Sequence, residues 1–335
     1  MVIEDSLAAM GRLFIAINEQ APRVIFYRLL WIFDVSFWLF ARFPPTRRGT
    51  QLLLTLLAGP GLVRLIARVE PDVIVSVYPV TTEVLGRLRG RGRLHVPVCA
   101  AITDLAAMRY WAAPGIDLHL VTHPESIAEV RQVAGRETAV HCVHGLTSPE
   151  FVEPREPADA RHALGLPADG KIVLVSGGGW GVGDLESATE TALAVEGVSE
   201  IVCLSGRNEE LRTRLEHRFA DDRRVRVVGF TDRMGDWLAA ADALVHSTGG
   251  LTVLEAHIRG CPTISYGWGR GHIRLNNKAF RRFGLADVAT SQEELPHALR
   301  RALTGRKPQD LSFASFPSAA SLVLACAGEQ AGDCA

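Results

Sequence analysis

From His246 to Glu255 the chain runs HSTGGLTVLE, followed by CPTISY and GRGHIRLNN. These residue types predict a strand, a Gly-Gly turn, a helix, a second strand, a polar loop and a second helix. A glycine turn at a helix start leaves backbone N–H groups unbonded, at the positive end of the helix dipole. Gly249, Gly250, Leu251 and Thr252 therefore offer donors to a phosphate. Glu255 lies about one turn further on, and a carboxylate there accepts two hydrogen bonds from a sugar diol. His272, Arg274, Asn276 and Asn277 follow the next strand. His272 and Asn276 share a helix face if a helix begins there, and both can hydrogen-bond sugar hydroxyls. Phosphate, diol and hydroxyl partners in one stretch suit a nucleotide-sugar. The plainer alternatives are an early-helix acid favoured by the dipole for Glu255 and a polar helix start for His272 and Asn276.

Three further segments place polar groups after strands. SGGGWGVGD (176–184) joins a strand to a helix, with Gly178, Gly179 and Gly181 able to turn N–H groups toward a phosphate or sugar. The dinucleotide pattern G-x-G-x-x-G fails here, because its last position falls on Val182 counted from Gly177 and on Asp184 counted from Gly179. No Gly-Lys-Ser/Thr follows, so it is not a phosphate-cradling Walker loop, and a bare glycine-rich turn is the alternative. In CLSGRNEELRTRL (203–215), Arg207 and Asn208 open a helix, either near a nucleotide or as a solvated cation and a cap. Asp104 follows the strand 96–102, on the ligand side of a parallel sheet, and is the candidate base; a turn or cap residue is the alternative. His141, His144, His246 and His257 lack metal-ligand spacing and are expected to be structural.

The elements that must position these residues alternate. Candidate strands are 73–78, 96–102, 118–122 and 138–143, then 171–176, 200–205, 225–230, 242–247 and 262–267, with helices between them. This alternation predicts parallel α/β sheets. The segment 145–158, GLTSPEFVEPREPA, carries three prolines and is expected to be an interdomain linker. Expected domains are 1–148, 149–310 and a closing helix or tail over 311–335. Residues 1–70 look mainly helical, with no opening strand and no glycine-rich loop.

The chain has 335 residues, 47% hydrophobic and 22% charged, with a net charge of −1. That balance argues against a nucleic-acid partner. Six scattered cysteines form no CxxC and are expected to be reduced, as in a cytoplasmic protein. The first residues lack a basic secretory leader. LLWIFDVSFWLF (29–40) is too short to span a bilayer and contains Asp34. It is either a buried helix or one lying at the bilayer interface, anchored by Trp31, Phe37, Trp38 and Phe40 beside Arg42, Arg47 and Arg48. The basic run Arg87, Arg89, Arg91 and Arg93 is either a solvated face or one that meets anionic lipid headgroups.

PDVIVSVYP (71–79), VPVCAAITDL (96–105), APGIDLHLVTHPE (113–125), SGGGWGVGDL (176–185), SGRNEEL (205–211), VGFTDRMGDWLAAADALV (228–245), GGLTVLEA (249–256) and GHIRLNN (271–277) together, and in this order, resemble a GT-B glycosyltransferase. The resemblance is to the monogalactosyldiacylglycerol synthase and processive diacylglycerol glucosyltransferase group, with MurG, the lipid-linked N-acetylglucosaminyltransferase of peptidoglycan synthesis, as a more distant relative. It implies two Rossmann-like domains facing a cleft, the N-terminal one incomplete. It also implies a UDP-sugar donor without a further cofactor or metal, and inverting transfer of a hexose to a lipid such as diacylglycerol. Gly249, Gly250, Leu251 and Thr252 would face the diphosphate and Glu255 the ribose. Arg207 and Asn208 would lie near the nucleotide, His272 and Asn276 at the sugar, and Gly178, Gly179 and Gly181 along the cleft. The expected setting is the inner face of the cytoplasmic membrane, peripheral on an anionic surface. The family's opening strand and glycine-rich loop ending in His have no counterpart here, and Met108 and Ala113 stand in the region where the family commonly has a histidine after Thr103-Asp104. A truncated start, a protein partner supplying that loop, or a degenerate nucleotide-sugar-binding paralogue would each account for this. A soluble small-molecule acceptor is a further alternative.

Overall fold

The structure, a computed structural model, describes residues 1–11, 14–15, 43–106, 108–247, 249–267 and 271–332. Of Pro44, Gly271, His272 and residues 329–332 only the backbone is described. The apolar run 29–40 and Arg42 lie outside the described residues. The chain forms two compact units: Met1–Leu146 with Arg270–His272 and Pro317–Ala335, and Thr147–Gly269 with Ile273–Phe316.

In the first unit, α1 (Ser6–Met10) and α2 (Pro44–Val69) precede β1 (Ile74–Ser76), α3 (Pro79–Arg89), β2 (Val98–Ile102), β3 (Leu118–Val121), α4 (Ser126–Ala134) and β4 (Ala139–Cys142). The four strands pair in parallel in the order β1-β2-β3-β4. β2 and β3 are buried along their whole length, which is why VCAAI and LHLV show continuous apolar character rather than alternation. α2 buries Gln51, Thr55, Ala58 and Leu62 and leaves Leu52, Leu53, Leu56 and Leu57 exposed. By length and composition Pro45–Val69 is apolar enough to cross a membrane, with 22% of its window buried. Gly61 admits the α1 backbone, since a Cβ there would fall 1.9 Å from the Ala9 carbonyl oxygen.

The second unit contains α5 (Pro157–Leu164), β5 (Lys171–Ser176), α6 (Leu185–Leu193), β6 (Val198–Leu204), α7 (Glu209–Arg218), β7 (Val225–Val228), α8 (Met234–Ala240), β8 (Ala243–His246), α9 (Gly250–Ile258), β9 (Thr263–Tyr266), α10 (Gly271–Arg282), β10 (Asp287–Ala289) and α11 (Leu295–Ala302). Its six parallel strands lie in the order β10-β9-β8-β5-β6-β7. Strand order therefore reverses between β5 and β8, and the crevice at the carboxyl ends of that pair is where such sheets take ligands. One core cluster on each face of this sheet holds it, with Val173, Val175 and Val245 on one and Ile172, Leu174 and Leu244 on the other.

The boundary between the units, Leu146/Thr147, falls inside the expected linker 145–158, and the segment is packed. Pro149–Val152 is a 3-10 turn whose Phe151 is 1% exposed in the core, and the Arg259 guanidinium donates to the carbonyls of Glu150 and Glu153. The tail divides later than the expected 311. Phe313 is buried with the second unit, whereas α12 (Ala319–Gly332) returns to the first. There Ala319, Leu322, Val323 and Cys326 pack on Cys99, Leu118, Leu120 and Val143. The five cysteines among the described residues form no disulfide, and four of them are buried.

Candidate functional site

At the switch point, the end of β5 meets the end of β8 through a side chain. His246 Nδ1 lies 3.2 Å from the Ser176 carbonyl oxygen. A carbonyl only accepts, so Nδ1 carries the proton and Nε2 presents a lone pair. Nε2 is buried and has no hydrogen-bond partner among the described residues. Burial holds this imidazole down at about 4, against the smaller opposing effect of the Ser176 bond, so it is neutral near pH 7. His246 ties together the two strands that flank the crevice.

Above it α9 begins. Gly249 has φ +90°, no side chain among the described residues caps the helix, and no acidic residue sits in its first turn. The first N–H groups of α9 thus have no side-chain acceptor among the described residues, at the positive end of its dipole. Glu255 follows on α9, half-buried, without a hydrogen-bonded partner among the described residues. Burial first, and the carboxylate of Glu150 second, push its carboxyl up to about 7. A carboxylate this short of partners is ready to accept hydroxyl donors.

The glycine loop after β5 packs backbone to backbone against the turn after β6. Arg207 N–H donates to the Gly179 carbonyl at 2.9 Å. Gly206 has φ +63°, and a Cβ on it would fall 2.4 Å from the Gly178 oxygen and 2.6 Å from the Gly179 oxygen. Gly181, also left-handed, would meet the Ser205 oxygen at 2.5 Å. Gly178, Gly179, Gly181, Arg207 and Asn208 are thus brought together. Asn208 does what its alternative reading says, capping α7 by accepting from the Leu211 N–H at 3.0 Å. The Arg207 guanidinium lies 3.7 Å from the Phe230 ring centroid, and that ring is 54% exposed. A planar cation on an exposed ring forms a flat plate that suits a heterocyclic base.

Sequence reasoning missed Phe230 and Glu150. Phe230 passed as the apolar end of a strand, although its place at the carboxyl end of β7 is the available signal. Glu150 lies far from Glu255 along the chain, and no local pattern joins them. Asn276 is buried on α10, as is Asn277, whose Oδ1 accepts from Ser265 Oγ at 2.7 Å. The backbone of His272 lies in α10, while its side chain is outside the described residues. Asp104 belongs to the first unit, in the turn after β2. Among the described residues no group of three or more His, Cys, Asp or Glu is placed to hold a metal ion.

Residues 36–146 match the family model described as monogalactosyldiacylglycerol (MGDG) synthase, and residues 172–321 match that of the glycosyltransferase family 28 C-terminal domain. The processive diacylglycerol beta-glucosyltransferase of Staphylococcus carnosus (strain TM300) is 26% identical over 234 residues, 70% of this chain and 59% of that protein. Monogalactosyldiacylglycerol synthase 1, chloroplastic, of Arabidopsis thaliana is 33% identical over 240 residues, 68% of this chain and 44% of that protein. The chain thus spans about half the length of these relatives. Among solved structures, the S. aureus MnaA–UDP co-structure superposes with a TM-score of 0.55 at 13% identity, over 79% of each chain, and so shares the fold.

Proposed function

Since the chain has the GT-B glycosyltransferase fold, with one segment resembling MGDG synthase and another the family 28 C-terminal domain, we propose that it moves a hexose from a UDP-sugar to the hydroxyl of a membrane lipid such as diacylglycerol. The observation that carries this reading is the start of α9 at the β5/β8 switch point, where among the described residues no side chain caps the helix and Glu255 lacks a hydrogen-bonded partner. The N–H groups of Gly250, Leu251 and Thr252 hold the diphosphate. Glu255 accepts from the ribose hydroxyls, and the Arg207–Phe230 plate takes the base. His272 and Asn276 serve the hexose.

In the reaction the acceptor oxygen attacks the anomeric carbon as the bond from that carbon to the diphosphate oxygen breaks. Configuration inverts and UDP leaves. Charge building on the leaving diphosphate is met by dipoles already in place at α9, which need no reorganisation. The acceptor proton goes to a base, for which Asp104 is the candidate. The exposed Leu52, Leu53, Leu56 and Leu57 of α2 support work at a membrane surface, on the cytoplasmic side where nucleotide-sugars are made.

Calorimetric titration of UDP into the wild type and Glu255→Ala tests the donor site. Loss of two ribose hydrogen bonds predicts roughly tenfold or greater weakening in the variant. Radiolabelled UDP-glucose and UDP-galactose with diacylglycerol vesicles then test transfer. A folded wild type that binds no UDP overturns the reading.

A further inference from the structure

A cavity of about 360 Å³ opens in the first unit between α2, α3 and the turn at Pro114-Gly115. It has space for roughly a dozen water molecules. Five arginines line it, Arg47, Arg48, Arg87, Arg91 and Arg109, against one acid, Glu83. Glu83 is already engaged, accepting from Arg87 Nε at 2.8 Å, and Arg87 is steadied further by Gln51 Oε1 at 2.8 Å. Arg47 Nε is buried and has no hydrogen-bond partner among the described residues. Burial first, and the charges of Arg109 and Arg48 next, lower the affinity of Arg47 for a proton, against smaller opposing effects of Tyr110 and Glu83. Arg47 and Arg48 also sit early in α2, at the positive end of its dipole, in a first turn that holds no acid.

The floor of the cavity is shaped for this opening. A Cβ on Gly86 would fall 2.5 Å from the Pro114 oxygen, and one on Gly115 would fall 2.2 Å from the Gly86 oxygen. Helix and turn therefore meet backbone to backbone beneath the arginines. Crowding like charges around a buried, unsatisfied donor is costly unless an anion completes the set. A tetrahedral oxyanion matches several guanidinium forks at once, where a carboxylate matches one or two.

We propose that this cavity is a binding site for a phosphate or phosphate-ester group, separate from the nucleotide-sugar site of the second unit. Two sources present that group, a phospholipid headgroup and a free phosphate ester. The exposed Leu52 and Leu56 continue the helix row of Arg48 at intervals of four, so both sources must be tried.

The full chain is titrated with inorganic phosphate and with glycerol 3-phosphate, and floated with phosphatidylcholine vesicles with and without phosphatidylglycerol. Each arm is repeated with Arg109→Gln and Arg91→Gln, two exposed cavity positions whose change leaves the core intact. Arg223→Gln, an exposed position in the second unit, is the charge control. Binding of either soluble probe that weakens roughly tenfold in the cavity variants, and not in the control, establishes the site with a free ester. Flotation that requires phosphatidylglycerol, with the same pattern among the variants, establishes it with a lipid. No binding in any arm overturns the proposal, and so does equal loss in Arg223→Gln and the cavity variants.

Discussion

Glu255 and His246 lie close along the chain and respond to pH in opposite directions. The Glu255 carboxyl is raised from the ordinary glutamate range to about 7 in the fold. Its contribution to stability is complete below the unfolded value and is lost as pH climbs through 7. His246 is lowered to about 4, so its contribution is present above the usual histidine value and is lost as pH falls toward 4. Between about pH 4.5 and 6.5 the two effects nearly cancel, so the ligand-free protein should show a broad stability maximum there. Glu255→Gln should flatten the alkaline side alone, stabilising the protein at pH 8 by on the order of 2 kcal/mol relative to wild type. Urea unfolding of both proteins between pH 5 and pH 8 checks this, and parallel curves would show that Glu255 is not held at a raised value. Bound UDP should reverse the sign at Glu255, since ribose hydroxyls favour its charged form.

At the scale of elements, the site depends on two loops whose backbones touch. Gly206→Ala must place a methyl group where the Gly178 and Gly179 oxygens now sit, at a residue with φ +63°. The glycine loop after β5 should be displaced, with a loss of about 1–3 kcal/mol in stability and weaker UDP binding. Chemical denaturation and calorimetry on that variant measure both, and unchanged UDP affinity would mean the loop does not shape the donor site. Most of these elements were legible beforehand. KIVLVS has the uniform apolar run of a strand buried on both faces, and it forms β5 over Lys171–Ser176. The Gly-Gly turn before α9 was equally plain. β10 escaped notice because Asp287–Ala289 is a three-residue edge strand, too short to show a period. The packing of Phe151 escaped because three prolines signal punctuation locally, while its partner Arg259 lies over a hundred residues away. The Arg207–Phe230 plate needed the pairing of β6 with β7 to bring its halves together.

At the scale of the molecule, the first unit is assembled from sequence that both precedes and follows the second. α12 covers β2 and β3, placing Ala319, Leu322 and Val323 over Leu118 and Leu120. Ending the chain at Phe316 should expose that core. Amide hydrogen exchange should quicken at β2 and β3 while β5 and β8 keep their protection. Equal protection of β2 and β3 in the shortened chain would show that α12 is dispensable. Both units were visible as strand–helix alternation, yet the return of the tail to the first was not, because an apolar stretch such as SLVLACA does not announce which core it joins.

That return also sets an order of events during synthesis. The second unit, continuous from Thr147 to Phe316 apart from Arg270–His272, has its six strands in hand once Phe316 clears the ribosome. The sheet of the first unit, although translated earlier, must wait with one face uncovered until residues 319–332 emerge. Until then the nascent protein carries an N-terminal sheet with one apolar face uncovered, an aggregation-prone state.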